Sequence, residues 1–138
     1  GLEPVAGGRR ADGPLAAGYF VAPTVFTDVE PSATVARDEI FGPVVAVIPV
    51  ENYEEAVEVA NDTPYGLSAS VFTNDLSRAL HFARESRTGV VRINQSTSGQ
   101  EYHVPFGGMK DSGTGERELG KAARAFYTES KTVYVGAG

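Results

Sequence analysis

An α/β fold with a parallel β-α-β-α-β sheet core, a C-terminal helix and a short terminal strand is predicted by three features of this 138-residue sequence. Val44 to Val50 is a nearly continuous, mostly β-branched apolar run, the pattern of a strand covered on both faces. Two segments of helical periodicity follow, each opened by a side chain able to cap. Short connections separate these helices from two further β-branched runs, an alternation that favours parallel pairing through crossover helices.

Residues 1–18 carry five glycines and two prolines among small side chains, which predicts a flexible or loop-like start. Tyr19 to Thr27 is rich in aromatic and β-branched residues, but Pro23 reduces it to an edge or interrupted strand. After the Val44 strand, Asn52 can cap a helix, with Glu55 at capping-box spacing and Tyr53, Ala56, Val57 and Ala60 on one face. Pro64-Tyr-Gly66 closes that element. Leu67 to Thr73 reads as a second strand, and Asp75 can then cap a helix with an apolar stripe of Leu76, Ala79, Leu80 and Ala83. Gly89 suits its C-terminal stop, and Val90 to Asn94 makes a third strand.

Gln95 to Gly115 is polar and glycine-rich, and a stretch of that length inside a compact domain marks a candidate site. Glu116 to Tyr127 is moderately helical. Lys131 to Val135 is a last short strand with little chain left to pair with it, so a distant segment or another subunit is its expected partner. The expected organisation is a loop-like start over 1–18, a main body over 19–115, and a helix with a strand over 116–138.

Composition narrows the function. Hydrophobic residues make up 41% and charged residues 22%, too apolar a balance for a disordered chain. Twelve basic against eighteen acidic residues leave a formal charge of −6, and no basic run exceeds Arg9-Arg10, so neither nucleic acid nor an anionic membrane is an expected partner. No apolar stretch approaches a membrane span, and the first residues lack a signal-peptide pattern, so a cytoplasmic protein is expected. Cysteine is absent, which excludes a thiol nucleophile, disulfides and thiolate metal sites within these residues. The two histidines, His81 and His103, lie far apart, and no metal site is expected.

Asp38-Glu39-Ile40-Phe41-Gly42-Pro43 stands just before the Val44 strand. Glu39, when ionised, can accept two hydrogen bonds from a vicinal diol such as a ribose, and Phe41 can offer a flat face to a heteroaromatic ring. The same residues equally describe a corner in which Glu39 is solvated and Phe41 joins the core. In Pro105-Phe106-Gly107-Gly108-Met109-Lys110 the glycines permit close backbone approach to a ligand, Phe106 can line an apolar pocket and Lys110 can bind an anion. A surface turn with Phe106 tucked inward is the alternative. His103 is a candidate ligand contact or a solvated loop residue. Gly115 to Lys121 fits G-x4-G-K, but Ala122 stands where Mg²⁺ binding needs Ser or Thr, and two glutamates would repel phosphate.

In order along the chain, Gly18-Tyr-Phe-Val-Ala-Pro-Thr-Val-Phe26, Glu39-Ile-Phe-Gly-Pro-Val44, Ala60-Asn-Asp-Thr-Pro-Tyr-Gly-Leu67, Val91-Arg-Ile-Asn94, Pro105-Phe-Gly-Gly-Met-Lys110 with Ser112-Gly113, and Tyr127-Thr-Glu-Ser-Lys-Thr-Val133 resemble segments of the aldehyde dehydrogenase superfamily. The resemblance is to the C-terminal part of its catalytic domain. It implies an NAD- or NADP-dependent oxidation of an aldehyde to a carboxylic acid, through a thiolate, an oxyanion site and a hydrolytic glutamate. It implies further that Glu39 holds nicotinamide ribose hydroxyls, Phe41 packs beside the nicotinamide, Phe106 lines the aldehyde tunnel and Asn94 supports the site. The 95–105 loop, with His103, would shape substrate choice.

A glutamate in a Gly-Arg-Glu-Leu-Gly type segment takes part in proton relay in that family. This sequence reads Gly115-Glu-Arg-Glu-Leu-Gly120, one residue longer, so Glu118, or else Glu116, takes that place. The resemblance also implies that 116–138 contacts the cofactor domain and a neighbouring subunit, giving a homo-oligomer through the terminal strand. Tyr102-His-Val-Pro-Phe106 and Met109-Lys-Asp-Ser-Gly113 resemble members acting on semialdehydes of dicarboxylic acids. With its nucleophile upstream, the chain is expected to be a C-terminal piece that is inactive alone. A short non-enzymatic binding or oligomerisation module is the competing expectation.

Overall fold

The computed structural model describes residues 1–138. They divide into two compact units, Gly1–Val59 and Ala60–Gly138.

In the first unit, β1 (Thr24–Phe26) pairs in parallel with β2 (Val44–Ala46), placing Thr24 opposite Val44 and Phe26 opposite Ala46. Pro23 and Pro43 precede these strands and Pro49 follows β2, which keeps both short because proline has no N–H to donate. The opening residues form no long element. They are nevertheless tied back by isolated antiparallel bridges, Ala6 to Val25 and Arg10 to Val21. Thr24 is buried, donating its hydroxyl to the Ala22 carbonyl at 2.8 Å and accepting from the Gly8 N–H at 2.9 Å. Val29 is the most deeply buried apolar side chain, and its N–H reaches the Val47 carbonyl at 3.1 Å. A single helical turn, α1 (Thr34–Arg37), leads to the corner before β2.

Helix α2 (Tyr53–Asn61) starts where capping chemistry predicts. Asn52 Oδ1 accepts the Glu55 N–H at 2.9 Å. The reciprocal contact lands one residue earlier than an ideal capping box, with the Glu51 N–H donating to Glu55 Oε2 at 2.6 Å. Val57 is buried, Tyr53 and Ala56 are half-buried, and Ala60 is exposed.

The second unit is built on one parallel β-α-β unit: β4 (Ser68–Val71), α3 (Leu76–Glu85) and β5 (Val90–Ile93), with Ser68 opposite Val90 and Ser70 opposite Arg92. Asp75 Oδ1 accepts the N–H groups of Ser77 at 2.8 Å and Arg78 at 3.2 Å, satisfying two of the free donors of the first turn. Asp75→Ala is expected to lower stability by about 1 kcal/mol. A urea midpoint equal to that of the parent chain would contradict this.

The buried face of α3 is Ala79 and Phe82; Leu76 and Leu80, expected to be buried, are 72% and 52% exposed. One face of the helix meets the sheet, and it carries Phe82, whose ring removes more apolar area from water than either leucine. An antiparallel pair, β3 (Tyr65–Gly66) with β6 (Met109–Lys110), joins the glycine-rich stretch to the start of β4. The final helix, α4, covers only Ala122–Phe126.

The parallel α/β class is as predicted, but the single β-α-β-α-β sheet is not. β2 pairs with β1 and β4 pairs with β5, each as a separate two-stranded sheet. The helix expected from Glu116 is delayed because Leu119 (φ +65°) and Gly120 (φ +51°) turn left-handed, and because the backbone of Glu118 bonds Phe106 instead of a helical neighbour. Lys131–Val135 is not a strand. A strand needs a partner for its backbone, none of this chain supplies one, and Val133, Tyr134 and Val135 are exposed.

Candidate functional site

The corner between α1 and β2 is pinned at both ends. The Asp38 N–H donates to the Thr34 carbonyl at 2.8 Å, and the Pro43 carbonyl accepts the Thr24 N–H at 2.8 Å. Glu39, Ile40 and Phe41 stand out between these anchors, all exposed. Phe41 has φ +52°, where a bulky side chain is costly, and its ring is 94% exposed. Phe41 therefore takes no part in the core of this unit. Ile40 borders an apolar cleft of about 510 Å³ with Leu2, Phe26, Val35 and Val44. That cleft had no sequence signature, since its walls come from three separate segments.

The remaining candidates belong to the second unit. Asn94 (φ +55°) ends β5, and its side chain clasps Thr73: Oδ1 accepts the Thr73 N–H at 2.8 Å and Nδ2 donates to the Thr73 carbonyl at 3.0 Å. Its amide is thus committed to holding backbone. Phe106 and Glu118 exchange both backbone hydrogen bonds, at 2.6 and 2.7 Å, in an isolated antiparallel bridge. Residues paired in this way project to the same side, so the tunnel candidate and the relay candidate are neighbours. Glu116 is exposed, as is Glu118, and takes no part in the bridge.

His103 is exposed, with Nδ1 3.8 Å from Glu101 Oε2 and its ring edge-on to Tyr102 at 5.6 Å between centroids. Arg117 laces the glycine-rich turn, donating to the Gly108 carbonyl at 3.0 Å and the Glu116 carbonyl at 3.2 Å. Lys110, offered by sequence as an anion ligand, has another use. Its ammonium donates to the Asn61 and Thr63 carbonyls at 2.8 and 2.9 Å, satisfying acceptors at the end of α2. Asn61 itself links to α3 and beyond, accepting the Arg87 N–H at 2.7 Å and donating to the Glu85 carbonyl at 2.9 Å.

A cleft of about 360 Å³ opens beside Phe106, lined also by Leu67, Ser68, Val90, Arg92 and Gln100. It is roofed by the predicted substrate loop.

The model of the aldehyde dehydrogenase family matches residues 1–133. The chain belongs to the aldehyde dehydrogenase family. It is 52% identical over 136 residues to an alpha-ketoglutarate semialdehyde dehydrogenase of Haloferax volcanii, covering 97% of this chain and 28% of that protein. It is 47% identical over 131 residues to an alpha-ketoglutaric semialdehyde dehydrogenase of Bacillus subtilis, covering 95% of this chain and 27% of the relative. An aldehyde dehydrogenase of Mycobacterium tuberculosis, solved in complex with NAD+, superposes with a TM-score of 0.89 at 40% identity, over 100% of this chain and 28% of its own. The chain therefore spans about a quarter of the length of these family members. No helix is long and apolar enough to cross a membrane.

Proposed function

We propose that these residues contribute cofactor and substrate contacts to an NAD(P)-dependent aldehyde dehydrogenase that oxidises an aldehyde to its carboxylic acid. The observation that carries this reading is Phe41. A left-handed backbone costs a bulky residue of order 1 kcal/mol, and a ring left in solvent gives nothing back within this chain. A flat ring laid against it would remove apolar area from water and offset that cost.

An exposed carboxylate two residues from an exposed aromatic ring fits a nicotinamide ribose: Glu39 accepts from its hydroxyls while Phe41 supports the heterocycle. Two-electron acceptance is what the nicotinamide would supply there when bound. In the second unit, Phe106 lines the aldehyde channel, the 95–105 loop with His103 shapes its mouth, and Asn94 fixes where that loop leaves β5. Glu118, beside Phe106, moves a proton between the site and solvent. With no cysteine in these 138 residues, the nucleophile comes from outside them. The exposed Lys131–Val135 stretch forms its strand against another subunit, giving a homo-oligomer. The names of the two semialdehyde dehydrogenases support a substrate that carries a carboxylate as well as the aldehyde.

Joined to the cysteine-bearing sequence of such a relative, this chain is expected to support aldehyde-dependent formation of reduced cofactor, read at 340 nm. The 138 residues alone are expected to give none. Turnover by a verified cysteine-free preparation would overturn the assignment of the nucleophile, and silence of a folded, cysteine-containing form toward every aldehyde would overturn the function.

A further inference from the structure

Phe106 and Glu118 flank a glycine-rich turn whose own residues hold position poorly. Gly107 and Gly108 come directly after Phe106, and glycine has the widest backbone freedom of any residue. The β3–β6 pair that follows is two residues long on each side, Tyr65 opposite Lys110 and Gly66 opposite Met109, and so short a two-stranded pair is marginal in water by itself. Bonds inside the turn, from Arg117 to the Gly108 carbonyl and from the Ser112 N–H to the Met109 carbonyl, both at 3.0 Å, fix its shape but not its place.

Lys110 ties the turn down. It is half-buried at φ +51°, a left-handed conformation that glycine or asparagine would adopt at less cost. What a lysine gains there comes through its side chain. The ammonium donates to the Asn61 carbonyl at 2.8 Å and to the Thr63 carbonyl at 2.9 Å, reaching back 49 and 47 positions. Such charge-assisted bonds are stronger than those between neutral groups. The anchor point is itself held, because the Asn61 side chain bonds the Glu85 carbonyl at the end of α3 and the Arg87 N–H just before β5. Neutral contacts continue the seam beyond Lys110: the Asp111 N–H donates to the Pro64 carbonyl at 3.0 Å, and Ser112 Oγ accepts the Gly66 N–H at 3.0 Å.

We infer that Lys110 is a positioning residue for this site. Its ammonium fixes the turn against the end of α2, which sets where Phe106 stands beside its cleft and, through the backbone bridge, where Glu118 stands beside Phe106. The role is indirect, since the charge is committed to carbonyls and acts through the residues at the two ends of the turn. The inference rests on the dehydrogenase reading for what Phe106 and Glu118 do, whereas the anchoring can be read without turnover.

The test compares Lys110→Met and Lys110→Arg with the parent in the cysteine-bearing form, by amide hydrogen exchange and by steady-state kinetics per titrated active site. Methionine keeps the apolar stem and loses the cation. It is expected to speed exchange at the Phe106 and Glu118 amides at least about tenfold, with β4 and β5 exchanging as in the parent. It should also lower kcat with the aldehyde about tenfold and leave the KM of the cofactor unchanged, because Glu39 and Phe41 belong to the first unit. Arginine keeps the charge and the donors and should restore most of both. A lysine needed only for stability would loosen β4 and β5 together with the turn, and would lower the yield of active sites instead of the rate at each. Should Lys110→Met fail to fold, Lys110→Gln, which keeps donors without the charge, takes its place in the same comparison. The inference is overturned if the Phe106 and Glu118 amides exchange as in the parent, if β4 and β5 loosen by the same factor, if kcat is unchanged, or if arginine behaves like methionine. A folded parent that turns over no aldehyde overturns the dehydrogenase reading instead, and the exchange results still decide the anchoring.

Discussion

Gly89→Ala is expected to lower the stability of the second unit by about 3 kcal/mol or more. A β-carbon at this position would lie 1.7 Å from the Gly107 carbonyl oxygen and 2.7 Å from its carbon. The obstacle is backbone, so no side chain can swing away to make room. Gly89 cannot retreat, because its N–H donates to the Gly66 carbonyl at 2.9 Å and the next residue is the first of β5. Gly107 is held in turn by the Phe106–Glu118 bridge and by Arg117 on Gly108. The glycine is there for the close approach of two segments; it is not the helix stop expected from sequence, because α3 ends at Glu85 with Ser86 as its C-cap. Thermal melting of the variant within about 2 °C of the parent would show that the crossing is looser than described.

Phe82→Ala is expected to cost about 3–5 kcal/mol. The ring is 6% exposed on the face of α3 that covers the sheet, where Ala79 is its only fully buried apolar companion from that helix. An alanine would leave a cavity between α3 and the β4–β5 pair. Domain stabilities are only about 5–15 kcal/mol, so most of the margin would go. Urea denaturation read by far-UV circular dichroism measures the loss; a midpoint unchanged by the substitution would place the core of this unit elsewhere. By contrast, Leu80→Ala, on the exposed stripe, should be nearly silent.

These two residues show what the sequence could and could not reveal. The caps were legible because Asn52 and Asp75 act on N–H groups two or three residues away, and such local chemistry is written in consecutive letters. Parallel pairing of the Leu67 and Val90 runs was legible for a similar reason, since one helix links them. The orientation of α3 was not: the Leu76, Ala79, Leu80, Ala83 stripe has better helical spacing than Ala79 and Phe82, and only the tertiary sheet decides which face is covered. Partner choice for β2 was hidden because β1, interrupted by Pro23, looked the weaker strand. The last strand failed because its expected partner is not within the chain.

The candidate site divides in the same way. Motif letters located Glu39, Phe41, Phe106 and Glu118, yet the bridge that makes Phe106 and Glu118 neighbours spans eleven intervening residues and has no local signature. Lys110 looked like an anion ligand because it is a cation in a glycine-rich turn, whereas its ammonium answers carbonyls almost fifty residues earlier. Ser68 looked like an ordinary strand residue, and Arg92 like one that could favour an acidic substrate only if it reached the pocket. What distinguishes them is one buried atom each without a partner, Ser68 Oγ and Arg92 Nε, and that is a property of the folded arrangement alone.

The clasp of Asn94 on Thr73 has a consequence for how this scaffold can vary. One carboxamide offers a donor and an acceptor to the backbone of the neighbouring strand, so it imitates a further rung of the β4–β5 ladder without using the main chain. The main chain then turns away at φ +55°. The clasp therefore holds the end of the β4–β5 pair independently of the path the chain takes after Asn94.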